Sequence, residues 1–281
     1  MAGTNDLSKF LRCSIARLKS VVIMSLVAFG LALAPQSEGA SGQPATATDT
    51  LANVQSSENS IPIWWSSKLG LSSISALDAR MARPLDAPLN VRRYPSREDL
   101  LNDRNVETTT IANCVTYLDL TKKGFQAPKN QDWQYQLSLG AECNALDLLR
   151  TAKPARVTYL KTFRLNKSAV NFLPPRCGPV VSKENATKIT AAEERGLSWK
   201  QYERITRIQV QKTGELEVEG DYWEVVLDLY ARGDFNGDGV EDILLRKDDS
   251  LRGGSYATTS LLLLTRFKEG AVLKVLREIL R

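Results

Sequence analysis

The sequence predicts an α+β fold: a helical N-terminal part followed by an antiparallel β-meander that carries one Asp-rich hairpin loop. Three observations predict it. Apolar residues recur at helical spacing from Ile111 to Leu118 and again from Cys143 to Leu149. From Ile205 onward the pattern changes to short β-type runs separated by turns containing Gly and Asp. Within that second half, Asp234, Asn236, Asp238 and Asp242 stand at positions 1, 3, 5 and 9 of a tight, glycine-rich loop.

The chain divides into four stretches. Residues 1–34 read as a secretory leader, because a basic segment through Lys19 precedes the apolar run Ser20–Ala34. That run has about fifteen residues, short of the roughly 20 that a membrane span needs. Ala32 and Ala34 form an Ala-x-Ala ending, so the expected location is secreted or periplasmic, with no membrane span after cleavage. An uncleaved N-terminal anchor is the alternative. Residues 35–60, rich in Ser, Ala, Thr, Gly and Gln, bury too little apolar surface to offset their ordering entropy and read as a disordered linker.

Residues 61–185 form the helix-rich α+β region. Trp64 and Trp65 read as a plug on the core, or else as a sugar- or membrane-facing platform. Ser72–Met81 has helix-forming composition and ends before Pro84. Ser96 with Asp99 three residues on makes a capping arrangement for a short helix. A helix near 111–118 stops at Gly124, and a second covers Ala141–Thr151, closed by Pro154. Arg156–Leu165 is apolar and β-compatible and is predicted to be a strand; Pro174–Pro179 is a rigid turn. Residues 186–281 are the β-rich region, entered after a helix-prone segment at Ala191–Arg195 that stops at Gly196. Leu261–Leu264 predicts a strand buried on both faces. In the tail, Val272, Val275, Leu276, Ile279 and Leu280 share a helical face, so a helix is expected there, with a terminal strand as the rival.

Composition excludes several chemistries. The chain has no histidine, which removes Ser-His-Asp and Cys-His nucleophiles, His-ligated zinc and any imidazole switch. The net charge of +5 is mostly the leader's +3, leaving +2 for the remainder, so no basic stripe for nucleic acid is indicated. In an exported chain, Cys114, Cys143 and Cys177 imply one disulfide and one thiol left over. Three pairings are open. Stapling the turn at Cys177 onto the helix bearing Cys143 favours Cys143–Cys177, followed by Cys114–Cys143.

Oxygen ligands at alternate positions of a glycine-rich turn are what a hard divalent cation such as calcium requires. Asp234, Asn236 and Asp238 offer side-chain oxygens, Val240 its backbone carbonyl, and Asp242 a ninth-position carboxylate, direct or through water. Gly237 and Gly239 allow the positive φ that lets these ligands converge. A bare hairpin turn would need neither Asp234 nor Asp242.

Gly233-Asp-Phe-Asn-Gly-Asp-Gly-Val-Glu-Asp-Ile-Leu-Leu245 resembles the calcium loop of FG-GAP and VCBS repeats, over roughly residues 222–266. The resemblance implies Ca2+ held by Asp234, Asn236, Asp238, Val240 and Asp242, in a loop joining two antiparallel strands. Leu245 stands where an EF-hand has its bidentate Glu, and the motif occurs once, so neither an EF-hand nor a β-propeller is expected. The expected function is an exported, non-enzymatic binding or interaction module of the cell envelope, whose partner is an envelope protein or glycan. No catalytic residue is assigned. One alternative is an envelope hydrolase using carboxylates, with Glu224, Asp228 and Asp221 as its candidates; another is a disulfide-containing enzyme inhibitor.

Overall fold

The structure is a computed structural model and describes residues 60–279. The expected leader at 1–34 and linker at 35–60, Ser60 apart, lie outside the described residues. In chain order the elements are β1 (Trp64–Trp65), α1 (Leu77–Ala82), β2 (Leu89–Arg93), α2 (Arg97–Asn102), β3 (Glu107–Ile111), α3 (Cys114–Lys122) and α4 (Asn130–Thr151). Then come α5 (Lys183–Glu194), α6 (Trp199–Tyr202), β4 (Arg207–Val210), β5 (Leu216–Glu219), β6 (Trp223–Gly233), β7 (Asp242–Leu251), β8 (Ala257–Thr265) and β9 (Lys274–Ile279). The fold is mixed α+β, with an antiparallel sheet and no closed barrel.

Local chemistry explains the helix ends. The Ser96 hydroxyl accepts from Asp99 N–H and starts α2, as its spacing predicts. Asn113 and Thr116 form a reciprocal cap that begins α3 at Cys114, so Ile111 closes β3 and is not part of the helix. α4 extends eleven residues further toward the N-terminus than the 141–151 pattern indicates, through the polar stretch before Gly140. Propensity without a clean apolar stripe was enough there, because α4 packs on β8 and on α3.

The meander forms as the alternation predicts, in the order β4-β5-β6-β7-β8-β9, and β1 adds to β6 to make seven strands. The sheet is buried on both faces. On one, Tyr230, Leu244, Leu261 and Leu263 pack against Leu77, Met81, Tyr117, Leu146 and Leu149. On the other, Val225, Leu227, Ile243, Leu245, Leu262 and Leu264 meet Leu160, Phe163, Leu173 and Trp199. Leu261–Leu264 therefore reads as four consecutive buried leucines because alternate ones serve different cores. Trp65 packs on the first core and donates its indole N–H to Leu71 C=O at 2.8 Å, while Trp64 stays 46% exposed.

Three expectations are corrected. Residues 156–165 form no strand; they run irregularly, held by single bridges such as Val157–Val240, and drop Leu160 and Phe163 into the second core. The tail is a strand, β9, and not a helix. Its register shift against β8 at Leu263/Leu264 leaves Leu276 unpaired, so Val275 reaches the second core and Ile279 the first, where a helix would have put both on one face. The disulfide joins Cys114 to Cys143, with Cα atoms 5.0 Å apart, and not Cys143 to Cys177. Cys177 is a buried free thiol in the second core, whereas Cys143 lies in the first, so the sheet separates them.

Candidate metal centre

The β6–β7 turn places all five sequence-predicted ligands within one loop. Asp234 is 4% exposed and Asp242 fully buried, while Asn236 and Asp238 face solvent. Gly237 and Gly239, at φ +83° and +82°, bend the chain back on itself. The Asp234 carboxylate accepts Gly237 N–H at Oδ1 (2.7 Å) and Gly239 N–H at Oδ2 (2.9 Å). Asp238 accepts Val240 N–H at Oδ1 (2.7 Å), and Asn236 Oδ1 accepts Asp238 N–H (3.0 Å). The Val240 carbonyl accepts no backbone hydrogen bond among the described residues.

Asp242 differs from its neighbours. Its Oδ2 accepts Phe235 N–H at 3.1 Å, but its Oδ1 is enclosed and meets no hydrogen-bond partner. The Thr265 hydroxyl is the side-chain donor beside that carboxylate and lowers its pKa, so the oxygen is short of an ideal hydrogen bond and not without a donor next to it. Burial pushes the Asp242 carboxyl up from 3.8 to about 6; Thr265 and the Phe235 N–H oppose the rise, and Asp238 and Asp234 add to it.

The donor set suits calcium in the kind of atom it offers. All five donors are oxygens, each engaged carboxylate oxygen keeps a second lone pair, and the Asp242 Oδ1 is a buried acceptor short of an ideal hydrogen bond. These features fit a hard cation. Among the described residues, however, no three acids converge closely enough to make a preformed metal cluster.

Residues with no apparent signal in the sequence hold the loop from behind. Lys153 and Asp234 exchange backbone bonds of 2.9 Å in both directions. Arg156 N–H and Val157 N–H both donate to Gly239 C=O (2.8 and 3.0 Å), and Glu241 N–H donates to Val157 C=O (2.8 Å). Glu241, 5% exposed at its side chain, takes a two-pronged ion pair from Arg232, each arm 3.0 Å, and a hydrogen bond from the Thr158 hydroxyl. Arg232 also donates to Leu160 C=O at 3.0 Å. About eighty residues separate this clamp from the loop, so only the tertiary structure brings them together.

The carboxylates named for a hydrolase are not brought together. Asp228 pairs with Lys68 at 2.8 Å, and Asp221 reaches Arg204 at 3.6 Å in a different turn. Glu224 sits on β6 opposite Ser250 and Glu219. No family model, curated protein or solved structure matches the chain.

Proposed function

We propose that the chain is an exported, non-enzymatic binding module whose β6–β7 turn holds one structural calcium ion in the manner of an FG-GAP-type loop. The observation that carries the metal is the buried Asp242 carboxylate, held by one backbone N–H and the neighbouring Thr265 hydroxyl and by no counter-charge, at the end of a turn of oxygen donors. A buried carboxylate without a counter-charge costs free energy that a coordinated cation removes. Asp234, Asn236, Asp238 and Val240 supply the remaining oxygens on the same short turn. The ion's contribution would be electrostatic and structural: it neutralises three carboxylates and locks the bend between the two central strands.

Export is supported by the Cys114–Cys143 bond, since such bonds persist in oxidising compartments, and by the basic-then-apolar start of the sequence. The envelope partner, a protein or glycan, follows from the FG-GAP-type reading of the loop, and the scatter of Asp228 and Asp221 onto separate ion pairs leaves the hydrolase alternative without a constellation to support it. Calorimetric calcium titration, paired with thermal melts in calcium and in chelator, tests the metal. Wild type should release or absorb heat at a stoichiometry of about one, as one loop allows, and melt higher in calcium; Asp238→Ala should do neither. Absence of heat at millimolar calcium together with unchanged melting refutes the site.

A further inference from the structure

The sheet has two margins, the four-residue β4 and β9. β9 bonds along one side to β8; among the described residues, no other backbone pairs with 274–279. Just ahead of the strand the margin is closed by Leu273 N–H donating to Phe172 C=O at 2.7 Å. Beside β9 lies a cleft of about 490 Å³, with an apolar floor of Pro174, Leu197, Val272, Leu273 and Val275 and a charged rim of Glu193, Glu194 and Arg195 at the end of α5 and Lys274 on β9.

Partners in a ladder share a face of the sheet. Lys274 lies opposite Thr265 and Arg277 opposite Leu263, which puts both exposed cations on the side where Leu261 and Leu263 meet the first core. Val275 lies opposite Leu264, on the side of the second core and of the cleft. The two sides of this edge thus differ in character: Arg277 and Lys274 stand on one, and the other, where Glu278 is already paired with Arg176, opens onto a cleft with an apolar floor and a charged rim.

We propose that β9 and its cleft take up an extended peptide segment of a partner protein in which acidic and apolar residues alternate. The unpaired N–H and C=O groups of the edge supply main-chain bonds, and a strand's two-residue period sorts the side chains. Acidic residues meet Lys274 and Arg277 across the new ladder, and apolar ones enter the cleft against Pro174, Leu197 and Val275. The bulge at Leu276 twists the edge, which disfavours long, flat strand pairing and suits a short segment. The proposal rests on the reading of the chain as a binding module and does not require calcium.

The test uses the full chain and dye-labelled, end-blocked peptides of roughly ten residues, enough to span the strand, read by fluorescence anisotropy. One alternates Glu and Val, one has the same composition in two blocks, and one alternates but is N-methylated at every second amide. The alternating peptide should bind at least about 10-fold more tightly than either control, with amide NMR shifts concentrated at 274–279. The exposed double variant Lys274→Glu/Arg277→Glu, its fold verified by circular dichroism, should lose this preference and favour a Lys/Val peptide. Failure to bind at millimolar peptide, equal binding of the controls, or indifference to charge reversal overturns the proposal. A dimer in sedimentation that excludes the peptide assigns the edge to a second copy and also overturns it. Each arm is run in calcium and in chelator, so failure of the metal site and failure of the peptide site are read separately.

Discussion

Asp242→Asn should reverse the stability order of variant and wild type between chelator and calcium. In the metal-free chain the carboxyl titrates near 6 and not 3.8, chiefly because it is buried. The folded state therefore holds more protons than the unfolded state between pH 4 and 6, so stability falls as pH rises through that window and levels off above it. The rise is a little over two tenfold steps in proton affinity at about 1.4 kcal/mol each, so ionised Asp242 costs about 3 kcal/mol at pH 7. Asn keeps the acceptor for Phe235 N–H and removes the charge. In chelator at pH 7 the variant should therefore be more stable than wild type by up to about 3 kcal/mol, or about 6–12 °C in Tm for a domain of this size. It should also lack the wild-type loss between pH 4 and 6. In calcium at a hundred times Kd, wild type gains about 2.7 kcal/mol and the variant, short of a carboxylate ligand, gains much less. Urea denaturation at pH 4, 5, 6 and 7, each with calcium and with chelator, measures all four limbs. If Asp242→Asn is destabilised equally in both conditions, Asp242 is an ordinary buried hydrogen-bond acceptor and the metal reading fails.

Three further outcomes follow from the geometry. Replacing both Cys114 and Cys143 by Ser opens a 29-residue loop and should cost about 3–4 kcal/mol, lowering Tm by about 10 °C; an unchanged Tm would mean the bond adds nothing to stability. Gly239→Ala meets the Arg156 guanidinium at 2.7 Å, but that side-chain tip can swing away, so the φ of +82° dominates and the cost should be about 1–3 kcal/mol. Gly237→Ala has the same backbone cost with open space around it, and the two should agree within about 1 kcal/mol by chemical denaturation. Burial pushes the Cys177 thiol well above its usual range, so a thiol reagent should label it only after unfolding; stoichiometric labelling of the native chain would contradict its position in the second core.

Where the causes are local, the sequence was readable. Ser96 and Gly196 act within one turn of the chain, and the β4–β8 alternation is set by the two-residue period of strands whose neighbours in sequence are also neighbours in space; the Asn113 cap is equally local, but the apolar spacing that starts the helix at Ile111 passes over it. The Asp-rich loop belongs to this class, since all its candidate ligands lie between Asp234 and Asp242. Errors arose where long-range contacts decide. Residues 156–165 have β-type composition, but their hydrogen-bonding partners are the loop carbonyls of a turn, not a strand, so they follow that turn. The tail's pattern is ambiguous without knowledge that β8 stands ready to pair with it. The cysteine pairing depends on which face of the sheet each residue reaches, and no spacing encodes that.

Glu241 and Asp242 are adjacent acids where the loop passes into β7, and they reach different partners. Glu241 arrives at a built counter-charge: Arg232 grips both of its oxygens and Thr158 adds a third donor, so the pair is internally complete. Asp242 arrives at one backbone N–H and no counter-charge. The same few residues of chain thus bury one carboxylate against a full counter-charge and the other against a backbone N–H and the Thr265 hydroxyl alone. A complete second pair would have made the turn stable without help. If the proposed calcium site is real, the incomplete one would make the turn's stability depend on a cation reaching the loop, and the calcium and chelator limbs of the denaturation experiment measure whether it does.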